Sequence, residues 1–124
     1  RGKIDWLYKD GKIHDLKTTQ SLKYFEKSVG NFGYHRQAAF YGRAMKQLFG
    51  KFKGFTLRVV ETTGSFDSAD IDIDVEALRV GDKEVRYLLD KLKRCQDTDS
   101  WPGIYTPDKA NTVGLPRWYQ ALYN

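Results

Sequence analysis

Asp5, Asp15 and Lys17 stand inside two runs of apolar and β-branched residues, I-D-W-L-Y (4–8) and K-I-H-D-L-K-T (12–18). A strand interior disfavours all three, because a buried charge must be paired or must bind an ion. Side chains alternate along a strand, so Asp15 and Lys17 share one face and Leu16 takes the other. A divalent cation is what a pair of converging carboxylates holds.

Convergence depends on the turn between the runs. A two-residue Asp-Gly turn would set Asp15 against Trp6 and leave Asp5 on the wrong face. A three-residue loop, Lys9-Asp10-Gly11 with Gly11 left-handed, pairs Tyr8 with Lys12 and brings Asp5 directly across from Asp15. The longer loop is the expectation.

The remaining elements must hold this hairpin in place. The pattern predicts strands over 3–8 and 12–18 and a short helix over 21–29, broken by G-N-F-G. A longer helix follows over 34–49, with Tyr34, Ala38, Tyr41, Met45 and Leu48 as one apolar stripe. A third strand is expected over 54–61 and a fourth over 69–74, with Ile71 and Ile73 inward. Asp70, Asp72 and Asp74 then fall on the wet side of an edge strand. Residues 75–95 read as a helix with a break at Gly81, and 96–124 as a loop rich in aromatics. In that tail Trp101, Tyr105, Trp118, Tyr119 and Tyr123 suit pinning to the core more than stacking on bases. The order implies a mixed α/β sheet with helices on both sides.

The 124 residues suit a single domain, and no stretch approaches a membrane span. Arg1 in first place reads as a fragment, an excised domain or a processed chain. The lone Cys95 excludes an internal disulfide and any four-cysteine cluster made by this chain alone, and it fits a reducing, cytoplasmic compartment. Residues 1–60 hold 13 Lys/Arg against 4 Asp/Glu, and residues 61–124 hold 8 against 12. A basic half suggests a face for a polyanion.

Three motifs occur in order: G-K-I-D (2–5), D-L-K (15–17) and Q-A-A-F-Y (37–41). G-x-x-D, D-x-K and Q-x-x-x-Y in this sequence resemble the RecB-like branch of the PD-(D/E)xK nuclease superfamily. "DLKTT", "YHRQAAFY" and "WPGI…LPRWY" are similar to RecE-type phage exonucleases (exodeoxyribonuclease VIII-like). The resemblance runs from Gly2 to about Trp118.

The resemblance implies a restriction-endonuclease-like α/β core and Mg²⁺-dependent hydrolysis of DNA, with Mn²⁺ as a substitute ion. Asp5, Asp15 and the Leu16 carbonyl would be the metal ligands, and Lys17 would act on the attacking water. Gln37 and Tyr41, at i and i+4 on one helix face, would contact DNA or buttress the site. Arg36, His35 and Thr18 complete the expected DNA contacts, with Arg43, Lys46, Lys51 and Lys53 as further phosphate partners. His14 points to the opposite face and is read as a surface residue. The implied activity is 5′-to-3′ degradation of linear duplex DNA in phage-type recombination, with a homo-oligomeric ring and a single-strand annealing protein as partners. The alternatives are a RecB-like endonuclease or single-strand nuclease, and a silent DNA-binding module. The expected organisation is one nuclease core over 1–124, without the helix such nucleases place ahead of the first strand.

Overall fold

The computed structural model describes residues 2–105 and 109–122; Pro107 and Tyr123 lie outside these. The chain forms two compact units, residues 1–90 and 91–124. In the first, four strands, β1 (Trp6–Leu7), β2 (Lys12–Thr19), β3 (Gly54–Glu61) and β4 (Ser68–Asp72), form one sheet in the order β1-β2-β3-β4. β1–β2 and β3–β4 are antiparallel, and β2–β3 is parallel. A parallel pair needs a long crossover. Here it is made by a 3-10 turn (Leu22–Tyr24), α1 (Phe25–Asn31) and α2 (Tyr34–Phe49). α3 (Val75–Thr98) follows β4 and runs on into the second unit.

Strand alternation sorts the sheet into two faces. Ile13, Asp15, Phe55, Leu57, Val59 and Ile73 are buried, and the core closes on them with Phe25 of α1 and Ala38 and Met45 of α2. Ala77 and Leu78 of α3 join the same core. Each such apolar side chain contributes about 1.5–3 kcal/mol by leaving water. The opposite face carries Trp6, Tyr8, Leu16, Arg58 and Asp70, all exposed. The mixed sheet with flanking helices is as expected. The helices of the first unit gather on one face, however, rather than on both.

Three local features depart from expectation, in α2, α3 and the end of β4. Gly81 does not break α3. A Cβ there would lie 2.4 Å from the His35 carbonyl oxygen, so glycine permits α3 to approach the backbone of α2. The buried face of α2 is correspondingly Ala38, Ala39, Gly42 and Met45, and Leu48 is 72 % exposed. Asp74, read as a strand residue, instead accepts a hydrogen bond from Ala77 N at 2.7 Å in the first turn of α3. Asp70 and Asp72 are exposed on the edge strand, as expected.

The second unit holds the end of α3 and a four-residue helix, α4 (Arg117–Gln120), where a loop was expected. Trp101, Tyr105 and Trp118 are exposed. Among the described residues no helix is long and apolar enough to cross a membrane.

Candidate active site

The hairpin turns through three residues. Tyr8 N donates to Lys12 O at 2.9 Å, Gly11 N donates to Tyr8 O at 3.0 Å, and Gly11 has φ +95°. A side chain disfavours that backbone, which explains the glycine. Lys12 N also donates to Asp10 Oδ1 at 3.0 Å. The resulting register sets Trp6 opposite His14 and Leu7 opposite Ile13. Continued by one residue, it sets Asp5 opposite Asp15.

Asp5 lies just ahead of β1 and finishes the ladder with its side chain: Leu16 N donates to Asp5 Oδ2 at 3.1 Å. The N–H and C=O of one strand residue point to the same edge. The Leu16 carbonyl therefore opens on the Asp5 side of β2. The Leu16 side chain is 58 % exposed on the other sheet face, so its backbone is the part of Leu16 that reaches the site.

Asp15 is 4 % exposed, and such a charge is costly without partners. Gln37 Nε2 donates to Asp15 Oδ1 at 3.0 Å. The Lys17 ammonium forms an ion pair with Asp15 Oδ2, which receives no directed hydrogen bond. Lys17 is itself held from behind: its Nζ lies 4.7 Å from the centroid of the Tyr34 ring. Sequence reasoning missed Tyr34 as a site residue. It shares a helix face with Gln37 and Tyr41, at i, i+3 and i+7, but that spacing alone does not bring its ring to Lys17.

Tyr41 acts one step back. Its hydroxyl donates to Lys3 O at 2.9 Å and accepts from Lys3 N at 3.3 Å. A Cβ on Gly2 would meet Tyr41 Cε1 at 2.6 Å. The glycine of G-x-x-D thus lies flat on the tyrosine of Q-x-x-x-Y, and together they fix the segment that carries Asp5.

Other candidates sit elsewhere. His35 and Arg36 face α3, where His35 Nε2 and Arg36 Nη1 lie 3.1 and 3.3 Å from Glu84 Oε2. His35 Nδ1 is 3.3 Å from the Val29 carbonyl oxygen. Thr18 is exposed, on the side of β2 that also presents Leu16. His14 lies on the sheet face away from Asp15, as read from the sequence, and its Nδ1 is buried without a hydrogen bond. The displaced carboxyls also lie away from the acids of the site. Arg58 holds Asp70 below its ordinary range, and the Thr56 hydroxyl, followed by Lys12, does the same for Asp72.

Two carboxylates and a strand carbonyl make an all-oxygen donor set. Mg²⁺ commonly takes one or two protein carboxylates and completes its shell with water and substrate phosphate. The residues present suit such an ion. No cluster of three or more His, Cys, Asp or Glu side chains occurs among the described residues, so the set stops at two acids.

A family model described as a PDDEXK-like domain of unknown function (DUF3799) matches residues 1–111. No curated protein matches the chain. The fold is similar to the crystal structure of a candidate exonuclease from Eubacterium rectale, with a TM-score of 0.70 and 18 % identity. That alignment covers 96 % of this chain and 49 % of the other, so this chain spans about half of that protein.

Proposed function

Because this chain belongs to the PDDEXK-like domain family over residues 1–111, we propose that it is a divalent-metal-dependent deoxyribonuclease. The observation that carries the reading is the hairpin register, which puts Asp5 opposite Asp15 on the strand that also presents Lys17. Asp5, Asp15 and the Leu16 carbonyl would hold Mg²⁺, or Mn²⁺ in its place. When bound, such an ion neutralises charge on the phosphodiester and lowers the pKa of a water.

The protein's own groups do the rest. Lys17 carries a positive charge to the place where phosphate oxygens gain negative charge. Tyr34 and Asp15 fix the direction of that ammonium. Gln37 fixes Asp15 through one carboxylate oxygen, so the rotamer needs no reorganisation. Tyr41 steadies the backbone before Asp5.

Within this reading, the finer proposal is a 5′-to-3′ double-strand exonuclease of phage-type recombination, acting in the cytoplasm. The D-L-K-T-T and Y-H-R-Q-A-A-F-Y segments, similar to RecE-type exonucleases, support it. A ring of copies around DNA and a single-strand annealing partner belong to the same proposal.

The test is incubation of the purified chain with linear and closed circular duplex DNA, with Mg²⁺ or with EDTA, beside Asp15→Asn. Mg²⁺-dependent loss of the linear form alone, absent in the variant, is the expected result. Cutting of the circle replaces the exonuclease with an endonuclease. DNA binding without cutting would leave a silent binding module and contradict the proposal.

A further inference from the structure

A cleft of about 470 Å³ opens at the carboxyl end of β2, lined by Thr18, Thr19, Tyr24, Phe32, Tyr34 and their neighbours. We infer that it is a nucleotide subsite, taking one unstacked nucleotide of the DNA strand being cut with its base against Phe32 and Tyr24. The inference rests on the nuclease reading and deepens it.

Position is the first argument. Tyr34 is a shared wall: its ring carries the Lys17 ammonium and also lines the cleft. A nucleotide in the cleft therefore lies next to the lysine proposed to face the scissile phosphate. The carboxyl end of a parallel strand is also where α/β sheets place ligands.

Chemistry is the second. Among the described residues no Asp, Glu, Lys or Arg side chain lines the cleft; its lining is hydroxyls, one amide and three aromatic rings. Such a lining suits a base and a sugar, not a phosphate. Phe32 is 68 % exposed and Tyr24 55 % exposed, although both carry large apolar rings. The Phe32 ring lies 5.7 Å from the Tyr34 ring. Aromatic faces left to solvent beside a basic groove are what single-stranded nucleic acid stacks on.

Charge is the third. Lys23 and Lys27 place their ammoniums 5.4 and 5.5 Å from the Tyr24 ring centroid, and neither side chain is part of the cleft lining. With Lys17 against Tyr34, they set positive charge beside two of the aromatic walls of an uncharged cleft, as a base with flanking phosphates would require. The larger cleft of about 740 Å³ beside α3 differs in its lining, which is charged and includes Lys12, Arg43, Asp72 and Asp82.

The test is fluorescence anisotropy of the intact chain with a labelled short oligothymidylate and with a blunt duplex, both in EDTA. Phe32→Ala and Tyr24→Ala are each expected to weaken oligothymidylate binding by about tenfold and to leave the duplex little affected. Phe32→Trp is expected to restore the loss, and thermal unfolding of all three variants to match the parent. Equal weakening of both DNAs, or no weakening, overturns the subsite. No oligothymidylate binding with Mg²⁺-dependent cutting retained overturns the subsite and leaves the nuclease reading intact. Neither binding nor cutting overturns both.

Discussion

Lys17 would have two jobs, and Lys17→Ala removes both. It neutralises a carboxylate that is almost fully buried, and in the proposed reaction it would meet phosphate charge. Lys17→Ala leaves Asp15 buried with Gln37 alone. Breaking one partner of such a pair costs about 3–5 kcal/mol, and loss of one charge-stabilising donor costs about 10²–10³ in rate. The variant is therefore expected to unfold at a lower temperature and to regain part of that loss on adding Mg²⁺, while cutting DNA at least a hundredfold more slowly. Thermal unfolding with and without Mg²⁺, beside a cleavage assay, checks both. The types and spacing of Asp5, Asp15, Lys17 and Gln37 were legible because strand and helix periodicity puts them on common faces. The role of Tyr34 was not, because a cation over a ring depends on where α2 crosses β2, which no local pattern encodes.

At the scale of elements, the turn residues carried the most information. Lys9-Asp10-Gly11 selected one register of two, and that register assembles the two acids. Strand length was harder to read. β1 is only Trp6–Leu7, because Lys3 is held by Tyr41 and Asp5 pairs through its side chain instead of the ladder. Gly81 misled for a related reason: a glycine in a helical run signals a break locally, whereas here it serves contact between helices. Gly81→Ala should raise intrinsic helix propensity by about 1 kcal/mol. It is nevertheless expected to lower the unfolding temperature, because its Cβ would meet the His35 carbonyl oxygen at 2.4 Å.

Asp82 also joins α2 to α3. Hydrogen bonding to Arg43, with Arg86 adding to it, holds its carboxyl below the ordinary 3.8. A carboxyl lowered by folding adds stability above its unfolded pKa and loses it as pH falls through the folded value. Asp82→Asn is thus expected to be less stable than the parent at neutral pH, by under about 1 kcal/mol for a pair this exposed. The difference should vanish in strong acid. Denaturant midpoints measured against pH test the sign.

Charge shows how the whole molecule rewrites what the chain suggests. Along the sequence, basic and acidic halves look segregated. In space they are interleaved: Lys12 meets Asp72, Arg36 meets Glu84, Arg43 meets Asp82 and Arg58 meets Asp70. Part of the apparent polyanion face is therefore already paired. Lys23 and Lys27, over Tyr24, have aromatic rather than acidic neighbours. DNA affinity is expected to fall as salt rises, and Lys23→Gln with Lys27→Gln to reduce the slope of log K on log salt by about 1–2. Pairings between distant segments are set by topology, so this redistribution could not be read from composition.

A cation held between Asp5 and Asp15 is the centre of the proposed function. Calorimetric titration of Mg²⁺, and separately Mn²⁺, into the intact chain, Asp5→Asn and Asp15→Asn tests it most directly. Saturable binding to the parent that is lost in each variant, with all three folded by circular dichroism, is the expected result. Equal binding in the parent and either variant would contradict it, because the ion would then sit somewhere other than between these two acids.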